Sequence, residues 1–224
     1  MMESFREAAE QQEKEEFFLS GTASAAVLVG GKSRRFGYNK AFLKIGRDHL
    51  IENITARLKS IFQEVLLVGS DPAPYRFLGL PLAADVYPGC GPLAGIHAAL
   101  LAAAAPYVFV TACDMPFLDL KLVSFMVKSA PGYDAVVPRV NEYLEPLYAV
   151  YGKGCLPVVE TSLKDGQCKI TAFFSKVRVK YIEQAELAHF NLEKVFFNIN
   201  TPKDAKKALE LSESAQHLAK RVGH

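Results

Sequence analysis

The chain has 224 residues, half of them apolar, with 26 lysines and arginines against 24 aspartates and glutamates and a formal net charge of +2. That composition supplies a proper core for one domain, and its near balance of charge, without a long basic block, argues against nucleic acid as a main partner. No run approaches the roughly 20 apolar residues of a membrane-spanning helix, and the opening MMESFREAAEQQEKEEFFLSG is charged throughout, with no apolar signal region or cleavage site.

Residues 1–23 read as a polar extension whose Phe17, Phe18 and Leu19 can dock on the domain or on a partner. Ala25 to Val29 has the length and composition of a buried strand, and it breaks at Gly30-Gly31 into a loop carrying Lys32, Arg34 and Arg35, closed by Gly37 and followed by Lys40. Paired glycines after a strand let successive N–H groups face one concavity, which suits phosphate, and the cations add charge where a triphosphate is negative. It is neither a P-loop, because Tyr38 follows Gly37, nor the G-x-G-x-x-G dinucleotide fingerprint. The plainer alternative is a glycine turn with solvated cations.

A short apolar segment, Ala41 to Ile45, precedes Leu50, Ile51, Ile54, Leu58 and Ile61 at helical spacing, and EVLLV from Glu64 to Val68 reads as a second buried strand. Strand, helix, strand implies a crossover in a parallel sheet, with the ligand beyond the strands' carboxyl ends. Leu80 to Ala83 reads as a short strand ending at Asp85, and the stretch from Gly89 starts with glycine and proline and becomes an alanine-rich helix. Gly89 to Gly95 either lets that helix pack tightly or offers an open N-terminus to an anion.

Tyr107 to Ala112, YVFVTA, is the most strand-like run, and it ends at Cys113-Asp114-Met115-Pro116. A carboxylate held at the rim of the sheet and facing a phosphate loop is what Mg²⁺ needs, since it takes one or two carboxylates plus water and phosphate oxygens. The competing role for Asp114 is to cap a helix beginning near Leu118. Arg139 and Glu145 flank a polar turn between the strand-like runs Ala135 to Pro138 and Leu147 to Tyr151. Further on, Thr201 and Pro202 suit the N-cap and first position of a helix from Lys203 to about Arg221, with Ala205, Ala208, Leu209 and Leu211 facing the domain. The five histidines lack metal-ligand spacing, and His97 reads as structural. Cys90, Cys113, Cys155 and Cys168 form no C-x-x-C pair, which predicts reduced thiols in a cytoplasmic protein, with neither a zinc site nor a disulfide framework.

The expected fold is α/β: a three-layer, Rossmann-like, twisted and mostly parallel sheet with helices on both faces. Antiparallel excursions are expected near residues 134–151 and 177–198, where strand-like runs lack long crossover helices. The expected division is an extension over 1–23, a domain over 24–210, and the helix end and tail over 211–224.

With the glycine loop and Asp114 in place, the chain resembles the molybdenum cofactor guanylyltransferases. The resemblance rests on Leu28-Val29-Gly30-Gly31 with Ser33, Arg35, Gly37 and Lys40; on Gly91-Pro92-Leu93-Ala94-Gly95; on Cys113-Asp114-Met115-Pro116; on Pro138-Arg139 with Glu145-Pro146-Leu147; and on Phe197-Asn198-Ile199-Asn200-Thr201-Pro202. It covers roughly residues 24–210. Asn39 stands where that family usually has Asp, which removes a charge beside Lys40; Val29 and Phe36 replace a common alanine and methionine.

The resemblance implies a nucleotidyltransferase with the nucleotide-diphospho-sugar transferase fold, which joins GMP from GTP to the terminal phosphate of molybdopterin and releases pyrophosphate. It implies nucleotide contacts from Leu28, Val29, Gly30, Gly31, Lys40, Val68, Asp85 and Asp114, catalytic roles for Arg35, Lys40 and Asp114, and Mg²⁺ on Asp114 and Asn200, with Asn198 a lesser choice. Val68 replaces a side chain that is often polar, so only its backbone is available. The cofactor side falls to Gly91, Pro92, Leu93, Arg139 and Glu145. The attacking phosphate is already anionic, so no general base is required. A molybdoenzyme or insertion partner would receive the product. Two alternatives stay open: a cytidylyl or other small-phosphate nucleotidyltransferase of the same fold, which the second glycine, Gly31, disfavours, and a non-catalytic cofactor carrier.

Overall fold

The computed structural model describes residues 19, 21–30, 39–46, 48–71 and 73–222, and of 213–222 the backbone alone. Lys32, Ser33, Arg34, Arg35, Phe36 and Gly37 of the basic loop, its second glycine Gly31, and all but a few residues of the N-terminal extension lie outside the described residues.

Strand β1 (Ala23–Leu28, ASAAVL) is buried along its whole length. Its small residues let layers approach on both faces, and its one polar side chain is satisfied, since Ser24 Oγ donates to Glu64 Oε2, which also accepts from the Ala104 N–H. Around β1 the sheet is built from β4 (Val65–Gly69), β5 (Leu82–Ala84), β6 (Tyr107–Ala112), β7 (Ala135–Val140), β8 (Tyr143–Leu144), β9 (Tyr148–Gly152) and β10 (Val179–Glu183). The order is β10-β7-β9-β6-β1-β4-β5, with β8 beside β7; β2 (Lys44–Ile45) and β3 (Asp48–His49) form a separate hairpin.

Helix α1 (Leu50–Lys59) follows from the apolar spacing in the sequence and buries Leu50, Ile51, Ile54, Thr55 and Leu58. Each fully buried leucine or isoleucine contributes about 1.5–3 kcal/mol. With α3 (Leu120–Lys128) and the start of α6 (Pro202–Val222), α1 covers one face of the sheet. Helices α2 (Gly91–Ala102) and α4 (Leu156–Lys164) cover the other. Residues Leu93 through Leu100 of α2 are all buried, because that helix lies between the sheet and α4. His97 is among them, edge-on to Tyr87, in keeping with a structural role. The architecture is thus three-layered, mostly parallel and helix-covered on both sides.

Of the two antiparallel excursions expected, one is present and the other is corrected. The 134–151 region does contain the antiparallel strands, β8 and β9. In 177–198, however, β10 runs parallel to β7. Strand β9 descends, α4 and a 3-10 segment (Ile170–Lys176) then make the excursion, and β10 starts again from the lower edge. The strand-like VFFNI of 195–199 is no strand either: Val195 ends a one-turn helix α5 (Leu192–Val195), whose N-cap Asn191 accepts from the Lys194 N–H.

The cysteine expectation is also corrected. Cys90, at the N-cap of α2, is disulfide-bonded to Cys168, in the turn after α4, across 78 residues of sequence. Spacing along the chain hides such a pair, because only the packing of α4 on α2 brings the two together. Cys113 and Cys155 remain free and buried, and burial pushes both thiols up to about 12. Alkylation of the denatured, unreduced protein should therefore label two of the four cysteines, and all four after reduction; labelling of four without reductant would contradict the bond.

Candidate active site

The sheet order places a topological switch at β1 and β6, because the chain crosses from β1 to β4 over one face and from β5 to β6 over the other. A crevice at the carboxyl ends of these strands is where such sheets bind ligands. The end of β1 is gripped from both sides: the Cys113 N–H donates to Leu28 O (3.2 Å), and the Val29 N–H donates to Val68 O (2.7 Å). Gly69 permits this approach. A Cβ there would stand 2.3 Å from Val29 O, so no other residue fits. Val68 spends its carbonyl on Val29 and is fully buried, which makes it a support beneath Gly30.

Asp85 follows β5, and its N–H donates to Gly69 O (3.2 Å). Its Oδ1 is buried without a partner, and burial pushes its carboxyl up from the ordinary range. An orphaned acceptor beside the Gly30 turn is suited to a ligand that brings a donor. Helix α2 opens at the same rim. Gly91 takes a left-handed φ of +56°, Pro92 stands in the first turn, and Cys90 gives no side-chain cap, which leaves first-turn N–H groups open. Gly95 lies over Leu28, where a Cβ would come within 3.1 Å of that side chain, so the start of α2, with Gly91, Pro92 and Leu93, is packed close to the end of β1.

The second part of the site is a junction of three segments. Asn39 caps a 3-10 turn (Lys40–Phe42), accepting from the Ala41 N–H (3.1 Å) and donating to Tyr75 Oη (2.7 Å). Lys40 Nζ is thereby set 3.0 Å from Asp114 Oδ2 and 2.9 Å from Ile199 O, while the Ile199 N–H donates to Asp114 O (2.9 Å). The Lys40 and Asp114 side chains are 16% and 24% exposed, buried enough to be held yet open to a ligand. Asp114 Oδ1 has no partner among the described residues. Asp114 does not cap α3, since Asp119 does so by accepting from the Lys121 and Leu122 N–H groups.

Asn200 adjoins this junction through Ile199. Its N–H donates to Asp204 Oδ2 and its side-chain amide is exposed, whereas Asn198 donates to Phe196 O. Thr201 and Asp204 cap α6 reciprocally, and Pro202 takes its first position.

Arg139 lies apart from this group. It pairs with Glu183 (3.2 Å) and sits 4.3 Å over the Tyr181 ring, which commits it to β10. Glu145 is at the rim nearer β6 and is partly buried, and burial pushes its carboxyl up. A groove between the β2–β3 hairpin, residues 116–121 and α5 includes none of these residues. Its polar groups serve the fold: Arg57 donates to Leu118 O, Asp119 caps α3, and Lys194 lies over Phe117.

Three contributors were missed from the sequence. Tyr75, which is buried, stacked on Phe42 and accepts from Asn39, lies in a segment to which the sequence reading assigned no role. Gly69 directly follows the buried run at 64–68, and a glycine at a strand end is a signal of close backbone approach. The Ile199 carbonyl is backbone, and nothing in residue types announces it. Asp114→Ala should abolish turnover and cost on the order of 1 kcal/mol for the lost Lys40 contact, whereas Asp119→Ala should cost about 1 kcal/mol of stability and spare turnover; calorimetry beside an activity assay reads both.

The MobA-like NTP transferase domain model matches residues 25–179. Over 195 residues the chain is 43% identical to a protein of Pelotomaculum thermopropionicum named "Probable molybdenum cofactor guanylyltransferase", covering 87% of this chain and 95% of the relative. Among solved structures it is similar to molybdopterin-guanine dinucleotide biosynthesis protein A of Archaeoglobus fulgidus, with a TM-score of 0.75 and 32% identity, covering 85% of this chain and 99% of that one. The 2-C-methyl-D-erythritol 4-phosphate cytidylyltransferase of Thermus thermophilus, at 19% identity and a TM-score of 0.61 over 84% and 98% of the two chains, shares the fold. The chain belongs to the MobA-like NTP transferase family and, within it, to the molybdenum cofactor guanylyltransferases.

Proposed function

We infer that the protein transfers GMP from GTP to the terminal phosphate of molybdopterin, forming the guanine dinucleotide form of the cofactor. The observation that carries this reading is the Lys40–Asp114–Ile199 junction at the β1/β6 switch point of a chain in the guanylyltransferase family. A phosphate oxygen of the acceptor forms a bond to the α-phosphorus, the α–β bridging bond breaks, and pyrophosphate leaves with its electron pair. Both reactants are anions, so the protein must neutralise charge and hold them in line.

The chain's own groups suit those tasks. We assign Gly30, with Gly31, and the open N-terminus of α2 to phosphate, and Arg35 and Lys40 as its cations, while the orphaned Asp85 oxygen suits a nucleotide donor. Lys40 neutralises Asp114 in the structure, and an arriving triphosphate offers that ammonium a stronger anion.

The donor set fits Mg²⁺ held jointly with phosphate. Asp114 has an Oδ1 without a partner among the described residues, and Asn200, whose side chain is exposed, follows Ile199, whose N–H donates to Asp114 O. That matches an ion which keeps its waters and binds through one or two protein oxygens. We assign Asp114 and Asn200 as its holders; when bound, it would offset charge on the reacting phosphates.

No helix among the described residues is long and apolar enough to cross a membrane. We place the reaction in the cytoplasm, where GTP is plentiful, with the product passed to a molybdoenzyme or insertion partner. Pyrophosphate release by purified protein with Mg²⁺ and molybdopterin should occur with GTP and be at background with CTP, ATP and UTP. Release with CTP would change the base assignment, and no release from folded protein that binds the cofactor would make it a carrier.

A further inference from the structure

The turn that carries Lys40 is three residues long, Lys40–Phe42, and a 3-10 turn of that length has few bonds of its own with which to fix where a side chain starts. Its internal ties are the Asn39 cap and the Leu43 N–H on Lys40 O (2.9 Å). Lysine adds a long stem with many rotamers. An ammonium that meets acceptors at 3.0 and 2.9 Å therefore needs its backbone held from outside.

That hold comes from the connection between β4 and β5. There Asp71 Oδ1 accepts from the Ala73 N–H (3.2 Å) ahead of a 3-10 segment, Ala73–Leu78, whose buried residue is Tyr75. Tyr75 is 3% exposed and belongs to the same core as Ala41 and Ile45. It grips the Lys40 turn at both ends. Its ring stacks on Phe42, with centroids 5.4 Å apart and planes 9° apart, and its hydroxyl oxygen accepts from Asn39 Nδ2 (2.7 Å). Burial pushes the phenol up, so the hydroxyl keeps its proton.

The hydrogen bond is specific in a way that core filling is not. Asn39 Oδ1 is committed to the Ala41 N–H (3.1 Å), which fixes the orientation of the amide and leaves Nδ2 as a donor facing Tyr75. An aspartate would cap the turn as well but has no N–H to give. One amide thus joins the start of the Lys40 turn to a rigid, covered ring.

We infer that Tyr75 is a positioning residue for Lys40: acting through Asn39 and Phe42, it holds the turn so that the ammonium reaches the triphosphate from a fixed base. This rests on Lys40 serving the triphosphate in the guanylyltransferase reading. Tyr75 itself is covered and acts only through its neighbours. When the triphosphate draws the ammonium away from Asp114, that bond no longer anchors the turn, and the two Tyr75 contacts remain.

The test is binding and kinetics of Tyr75→Phe in the full chain, beside Lys40→Met and the double variant. Phenylalanine keeps the stack and the burial and removes only the hydroxyl. The probes are GTP, inorganic tripolyphosphate, which is all phosphate, and guanosine, which has none. Tyr75→Phe should weaken GTP and tripolyphosphate roughly 3- to 10-fold and leave guanosine within about twofold. With molybdopterin present, the KM for GTP should rise by the same factor while the KM for molybdopterin stays. In the Lys40→Met background the same substitution should change tripolyphosphate binding by less than about twofold. Its cost in thermal midpoint, about 2–4 °C, should be equal in both backgrounds.

Unchanged tripolyphosphate affinity in Tyr75→Phe, or in Lys40→Met, would overturn the proposal. An equal loss for guanosine, or a loss that persists without the lysine, would overturn it in favour of general packing. Wild-type protein that binds GTP yet transfers nothing to molybdopterin would remove the guanylyltransferase reading, while the binding comparison would still decide the role of Tyr75. Wild-type protein that binds neither GTP nor tripolyphosphate would remove both.

Discussion

The ammonium of Lys40 is the point at which three distant parts of the chain meet. It bonds the carboxylate after β6 and the carbonyl of Ile199 ahead of α6, spans of 74 and 159 residues. A lysine with two acceptors in a partly buried setting is held in place as well as charged, and it holds the others in turn. The Ile199 N–H returns a bond to the Asp114 carbonyl, so the C-terminal segment closes over the rim of the sheet as a second strap. A side chain that both braces the rim and presents positive charge to it is pre-organised for phosphate, and little reordering remains for the substrate to impose.

The rest of the fold can be seen as what allows that meeting. Small residues in β1 let helices press on both faces, Gly69 lets the chain leaving β1 lie against β4, and Gly95 lets α2 lie on Leu28. Each brings backbone N–H and C=O groups to one crevice. The reversal of β9 has a different effect: it carries the Glu145 turn back up to the same rim, on the far side of β6. Lys40 and the open N–H groups of α2 bring positive charge and donors to this crevice, which suits anionic reactants.

Much of this was legible in the sequence, and the divisions are instructive. YVFVTA gave β6 over Tyr107–Ala112, and the helical spacing from Leu50 gave α1 to within two residues, because both elements bury an unbroken apolar set. Asp114 and Lys40 were legible as chemistry because they follow a strand and a glycine loop. What failed to show depends on three dimensions. The Cys90–Cys168 pair needs α4 packed on α2, the direction of β10 needs the out-and-back excursion of residues 153–176, and 195–199 was misread because its apolar residues serve aromatic packing rather than a ladder. Arg139 and Glu145 looked like companions across a turn, yet the register of β7 against β10 hands the arginine to Glu183 and leaves the glutamate alone.

The central claim is that this crevice joins the α-phosphorus of GTP to an acceptor phosphate. The most direct measurement is the identity of the product after incubation with molybdopterin, Mg²⁺ and GTP carrying label in either the α- or the γ-phosphate, read by mass spectrometry and label retention. The account predicts an acceptor enlarged by one GMP that retains the α-label and none of the γ-label. An acceptor carrying the γ-label, or GTP recovered intact beside folded and cofactor-loaded protein, would contradict it.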